Sequence, residues 1–165
     1  MTLPDDARLW LFAFDSDPAA VLPDVRAFCA AWTSHGRPVR AEADVLAGRV
    51  LAVGALISET DVNAGVSGCG IDAMQHAVED AVTRHGLALT PALAVTLRDA
   101  SGAWTSRPRT DVRARVASGE VGPDTRVLDL TPATVGALRE VGGVERRAGD
   151  AWHAAAFGLG THTAA

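Results

Sequence analysis

The stretch VRAEADVLAGRVLAVGALIS, from Val39 to Ser58, decides the fold class. Val39 to Leu46 and Arg49 to Ser58 read as two strands, and Ala47-Gly48 between them suits a tight hairpin. The second strand is nearly continuous in apolar residues.

Upstream, Arg8 to Phe14 is rich in strand formers and runs into Asp15, Ser16, Asp17 and Pro18, a helix-start signal. Val21, Val25, Phe28, Cys29 and Trp32 then recur at helical spacing; Pro18 and Pro23 are alternative first turns, and Gly36 is the expected stop. Downstream, a polar loop from Glu59 to Gly68 leads into a helix from about Gly70 to His85, with Ile71, Met74, Val78, Ala81 and Val82 on its buried face and Gly86 at its end. Leu93 to Arg98 is a fourth strand, which Asp99 to Gly102 turns toward Ala103 to Ser106.

The order β-α-β-β-α-β predicts an α+β, ferredoxin-like core over residues 8–106, with two helices on one face of an antiparallel sheet. A helix from Thr110 to Ser118, a strand from Arg126 to Leu130, and a helix with Thr131 as N-cap and Pro132 at its first position read as a C-terminal α/β extension, residues 107–165, of the same single domain.

Composition narrows the class. A chain of 165 residues with 48% hydrophobic and 21% charged residues is globular and long enough for one core. All 15 basic residues are Arg, and Tyr is absent too, a bias that speaks of the genome before it speaks of function. A net charge of -5 works against general attraction to phosphate backbones or anionic membranes, so nucleic acid is not the expected partner. The start carries Asp5 and Asp6 where a secretory signal needs positive charge, and no apolar stretch approaches the ~20 residues of a membrane span. A cytoplasmic protein is expected.

Cys29 and Cys69 make no CxxC pair, and the five His residues fall outside zinc spacings, so no metal is expected. Without Lys there is no Walker A loop. Gly68-Cys69-Gly70-Ile71-Asp72-Ala73 matches GxGxxA, but no parallel βαβ unit accompanies it, so a dinucleotide site is not expected. Arg107, Arg109, Arg113 and Arg115 form a basic cluster that reads as a solvated helix face, and Trp10, Trp32, Trp104 and Trp152 are scattered as core anchors.

Cys69 is the sharper signal. Partly free N–H groups at a helix start stabilise a thiolate, and Asp72 and His76 share the helix face opposite Ile71, Met74 and Val78. The charge of Asp72 opposes a thiolate, and the plainer reading makes Ser67 a cap and Cys69 a small turn residue packing inward. His35 reads either as the C-terminal cap of the first helix or as a base for Cys69.

Trp32-Thr-Ser-His35-Gly36-Arg-Pro38, Ser67-Gly68-Cys69-Gly70-Ile71-Asp72, the strand end Arg98-Asp99, and Asp124-Thr125 together resemble a family of small uncharacterised bacterial proteins that read WxxHGxP and SGCSID at these places. Many members carry the label "ABC transporter ATPase", which does not suit a chain lacking both the Walker A Lys and an ABC signature. Gly70 replaces the family's usual Ser and removes a hydroxyl beside Cys69. The resemblance implies a site around His35 and Cys69, with Ser67, Gly68, Gly70 and Arg98 as ligand-binding candidates, and names no cofactor.

Two functions follow. The first is a module that binds a small molecule or a protein, or a second copy as a homodimer, through the open face of its sheet. The alternative is a thiol-dependent enzyme using Cys69 with His35 or His76, and Asp72 beside them.

Overall fold

The computed structural model describes residues 1–34, 36–56 and 67–159. Its elements in chain order are β1 (Arg8–Ala13), α1 (Leu22–Ala31), β2 (Thr33–Ser34), β3 (Arg37–Pro38), β4 (Arg40–Leu46), β5 (Val50–Leu56), α2 (Gly68–Arg84), β6 (Ala94–Arg98), β7 (Trp104–Pro108), α3 (Arg109–Ala117), β8 (Arg126–Leu128), α4 (Val135–Glu140), β9 (Glu145–Arg147) and α5 (His153–Phe157). The chain is α+β, with antiparallel sheets, and no helix among the described residues is long and apolar enough to cross a membrane. It divides into two compact units: Met1–Leu89 with Thr131–Val141, and Thr90–Leu130 with Gly142–Ala165. Thus β6 and β7, counted above in a core of residues 8–106, belong to the second unit.

In the first unit β5 lies between β1 and β4, antiparallel to both. The β4–β5 hairpin forms as read, with Ala47 and Gly48 at φ 51° and 62° and Arg49 N–H donating to the Leu46 carbonyl at 3.1 Å. The register sorts side chains by face. Ala43, Leu51, Val53 and Ala55 pack against Val25 and Cys29 of α1 and Met74, Val78 and Ala81 of α2. Leu9, Val50, Ala52 and Gly54 point the other way and are buried as well.

That second face is closed by the chain's own N-terminal segment. A Cβ on Gly54 would come within 2.7 Å of Leu3 Cδ1. The segment is held in turn by α4, through Val135 N–H to the Ala7 carbonyl (3.0 Å) and Gly136 N–H to the Asp5 carbonyl (2.9 Å). The sheet face expected to lie open for ligands or self-association is therefore covered.

Three features depart from the sequence reading. First, among the described residues the sheet of the first unit has three strands and not the four of a ferredoxin-like order, and the segment after α2 meets β1 at an isolated antiparallel bridge, Phe14↔Leu89. The other end of the same edge receives Thr134, bridged to Arg8, with Leu9 N–H donating to the Ala133 carbonyl at 2.9 Å. β6, with Val95, Thr96 and Leu97 all buried, pairs with β7 and β8.

Second, α1 follows a 3-10 turn over Pro18–Val21 that Asp17 caps through Ala19 N–H (2.9 Å), so Pro18 and Pro23 each open a different turn. The helix stops at Ala31 because Trp32 becomes extended and buried, and Gly36 turns the β2–β3 hairpin instead of ending the helix. Third, Ala133 and Thr134 lie against the β1 edge, and the N-cap of α4 is Thr134, which accepts from Ala137 N–H at 3.1 Å, and not Thr131.

The second unit is a four-stranded sheet in the order β7-β6-β8-β9. Val95, Leu97 and Val127 face a core shared with Val112 of α3 and Phe157 of α5. His153 lies in this unit at 1% exposure, stacked on Trp152 with ring centroids 4.0 Å apart, and neither ring nitrogen has a hydrogen-bond partner among the described residues.

Burial, reinforced by the Arg109 charge and opposed by Asp129, pushes the His153 imidazole down to about 4. A depressed imidazole binds fewer protons folded than unfolded, so its contribution is complete above the unfolded value of 6.5 and is lost as pH falls from there toward 4. Urea unfolding followed by tryptophan fluorescence should show the second unit losing on the order of 3 kcal/mol over that interval, and His153→Phe should abolish that slope. An unchanged slope would place the titration elsewhere.

Candidate functional site

The start of α2 is built by a hydroxyl pair. Ser67 caps the helix, its Oγ accepting from Gly70 N–H at 3.2 Å, as the sequence predicts for a Ser one residue before the first turn. The same Oγ lies 3.1 Å from Oγ of Ser34, a nearly buried residue of β2, and Ser67 N–H donates to Ser34 Oγ at 3.4 Å. The β2–β3 hairpin is thereby tied to the helix two residues from Cys69. Val39 N–H donates to the Trp32 carbonyl at 2.9 Å and fixes the hairpin from its other side.

On this base Gly68 and Cys69 are exposed, Gly70 is buried, and Cys69 is a free thiol. Asp72 and His76 follow on the exposed side of α2, while Met74 and Val78 enter the core. The structure thus brings Ser67, Gly68, Cys69 and Gly70 into one turn, with Asp72 and His76 on the same solvent-facing side. Among the described residues no hydrogen bond or ion pair joins Cys69, Asp72 and His76. Cys69 does not pack inward as its plainer reading supposed. His35 lies outside the described residues, between Ser34 and Gly36 of the tied hairpin.

Arg98 belongs to the second unit. Its guanidinium makes a two-point pair with Glu145 (3.0 and 3.2 Å), donates to the Gly102 carbonyl (2.7 Å) and stacks 4.3 Å from the Trp104 ring centroid. Every nitrogen of the fork is occupied, so Arg98 positions its neighbours within that unit.

Sequence reasoning missed Ser34. Its only signal is its place beside His35, because a serine's burial against a helix cap depends on a contact across 33 residues. The first unit also has a groove of about 320 Å³ between α1 and β4, bordered by Arg26, Cys29, Glu42 and Asp44. Its charges are engaged locally: Arg26 Nε donates to the Ala43 carbonyl (3.0 Å) and approaches Asp44 (3.6 Å), and Glu42 accepts from Thr2 N–H (2.6 Å). Among the described residues no three His, Cys, Asp or Glu side chains gather as a metal site.

Comparison with known proteins returns no matching family model, no curated protein and no solved structure.

The two cysteines now separate. Burial pushes the Cys29 thiol up to about 11, against a smaller opposing backbone hydrogen bond, and leaves it at 4% exposure, whereas Cys69 is open to solvent. Iodoacetamide added to the native protein should modify Cys69 to completion before Cys29 reacts, as read by peptide mass spectrometry, and in Cys69→Ser the remaining labelling should follow unfolding. Equal rates at the two sites would contradict this placement.

Proposed function

We propose that the chain is a binding module whose recognition surface is the start of α2, with Ser67, Gly68, Cys69 and Gly70 at its centre and the strands β2 and β3 at its rim. The observation that carries this reading is the Ser34–Ser67 hydroxyl pair, which holds two separate segments as one platform while leaving Cys69 exposed above it. Backbone N–H groups at such a turn, a soft thiol and the nearby Asp72 and His76 offer donors and acceptors to a small molecule or a peptide. The resemblance to the bacterial WxxHGxP and SGCSID family supports it, since both motifs fall on these two segments.

A thiol-dependent enzyme is the second reading, favoured by the exposure of Cys69. It requires an acid–base partner for the thiol, and the exposed Asp72 and His76 make no hydrogen bond to it. That leaves His35 as the residue on which the enzyme reading depends. A homodimer, the remaining expectation, would have to use a surface other than the covered sheet face. The ferredoxin-like plan is kept in this proposal for the three strands β1, β5 and β4 with α1 and α2 alone.

The experiment is the pH dependence of Cys69 alkylation in wild type and His35→Ala. The binding reading expects one common profile, with a rate like that of a small thiol peptide. A thiolate rate that persists below neutral pH and disappears in His35→Ala would overturn it in favour of the enzyme.

A further inference from the structure

Two side chains anchor α5 to the second unit. The helix is five residues long, its first turn has no side-chain cap, and Gly158 ends it at φ 68°. A helix this short is not stable by itself and stays helical only while docked. Its buried residues are His153 and Phe157, one turn apart, so one of the two anchors is an imidazole. That ring is docked without polar partners. Both nitrogens are buried and neither is hydrogen-bonded among the described residues, while the ring stacks on Trp152 and its centroid lies 6.3 Å from that of Phe157.

A neutral imidazole carries one N–H, and an imidazolium carries two together with a full charge, which a site without acceptors tolerates far less well. The charges facing the ring do not remove that cost. Asp129, from the segment after β8, is buried and favours a cation, but Arg146 of β9 already approaches it at 3.4 Å. Arg109 of α3 lies over the Trp152 ring, 4.9 Å from its centroid, and opposes a second positive charge. In the 3-10 turn Ala148–Asp150, against which α5 packs, the Asp150 carboxylate approaches Arg147 at 3.9 Å and the Asp150 carbonyl accepts from Arg146. Water is the remaining acceptor for both N–H groups, and the ring reaches it when α5 lifts. Lifting removes Phe157 and Leu159 from the core and leaves Val95, Leu97 and Val127 of the sheet with Val112 of α3.

We propose that α5 is an acid-released latch: protonation of His153 lifts residues 152–159 off the second unit while its four-stranded sheet stays folded, uncovering the side of α3 that carries Val112. The latch is the segment that gives way first on the acid side of the stability slope described for this unit. A lifted ring titrates at its ordinary 6.5 and a docked one at about 4, so the ratio of lifted to docked helix rises on the order of 100-fold as pH falls between those values. The latch is independent of the α2 platform, and its failure would leave that proposal standing.

A pH titration of the full 15N-labelled chain by two-dimensional NMR tests it. In wild type the amides of Ala154 to Leu159 should move to unstructured shifts between pH 6.5 and 4, while those of β6 and β8 keep their folded positions. His153→Phe should hold α5 docked across that range. Phe157→Ala, which weakens the other anchor, should raise the midpoint of release toward 6.5, and it keeps the test open if the first variant does not fold. Amides of α5 that stay at docked positions down to pH 4 would overturn the latch. So would loss of α5 and the sheet in one transition, which would leave only cooperative acid unfolding, or release of α5 in His153→Phe at the same pH as in wild type.

Discussion

Six consecutive residues of β5, Val50 to Ala55, are buried, and this is the constraint on which the first unit depends. A strand apolar on both faces needs a cover on each. Burying a Val or Leu side chain is worth about 1.5–3 kcal/mol, so the burial of Leu51 and Val53 on one face and of Val50 with its cover Leu3 on the other is a sizeable share of a domain's usual margin of stability. Helices α1 and α2 supply one cover; Leu3, Ala7 and the α4 segment supply the other. The N-terminal segment that makes the second cover is held by residues 131–141, far along the chain, and their return places Thr134 on the edge of β1 where a fourth strand would otherwise pair.

The candidate site inherits its geometry from the same packing. Met74, Val78 and Ala81 pin α2 by one face, so Cys69, Asp72 and His76 stay on the other. Trp32, packed between Trp10 and Phe28 with ring centroids 6.2 and 5.2 Å away, pulls the chain out of α1 early and lets Ser34 reach Ser67. A hydrogen-bonded hydroxyl pair of this kind contributes about 1 kcal/mol net. Its larger effect is positional: it makes the hairpin and the helix start one surface.

Local signals were legible in the sequence. The β4–β5 hairpin, the Ser67 cap, the Gly86 stop and the burial of Cys29 each depend on a few adjacent residues and stand where the sequence puts them. The departures are all long-range. Strand β6 has the composition to complete the first sheet, yet it pairs with β7 and β8 while Leu89 and Thr134 bridge the ends of β1. Arg98 reads as a ligand residue until Glu145, 47 positions later, takes its guanidinium. Thr131 and Pro132 form a sound helix-start pair locally, yet the β1 edge holds that segment extended and defers the cap to Thr134.

The central claim is that the start of α2 and the β2–β3 hairpin form one recognition surface. The most direct measurement is a fragment screen on the 15N-labelled chain by two-dimensional NMR, repeated with Ser34→Ala. The account predicts fragments whose shift changes concentrate on the amides of Thr33, Ser34 and Gly68 to Gly70, and which bind more weakly once the hydroxyl pair is broken. Fragments that perturb the groove between α1 and β4 while leaving the α2 start silent, or binding there that Ser34→Ala does not change, would contradict it.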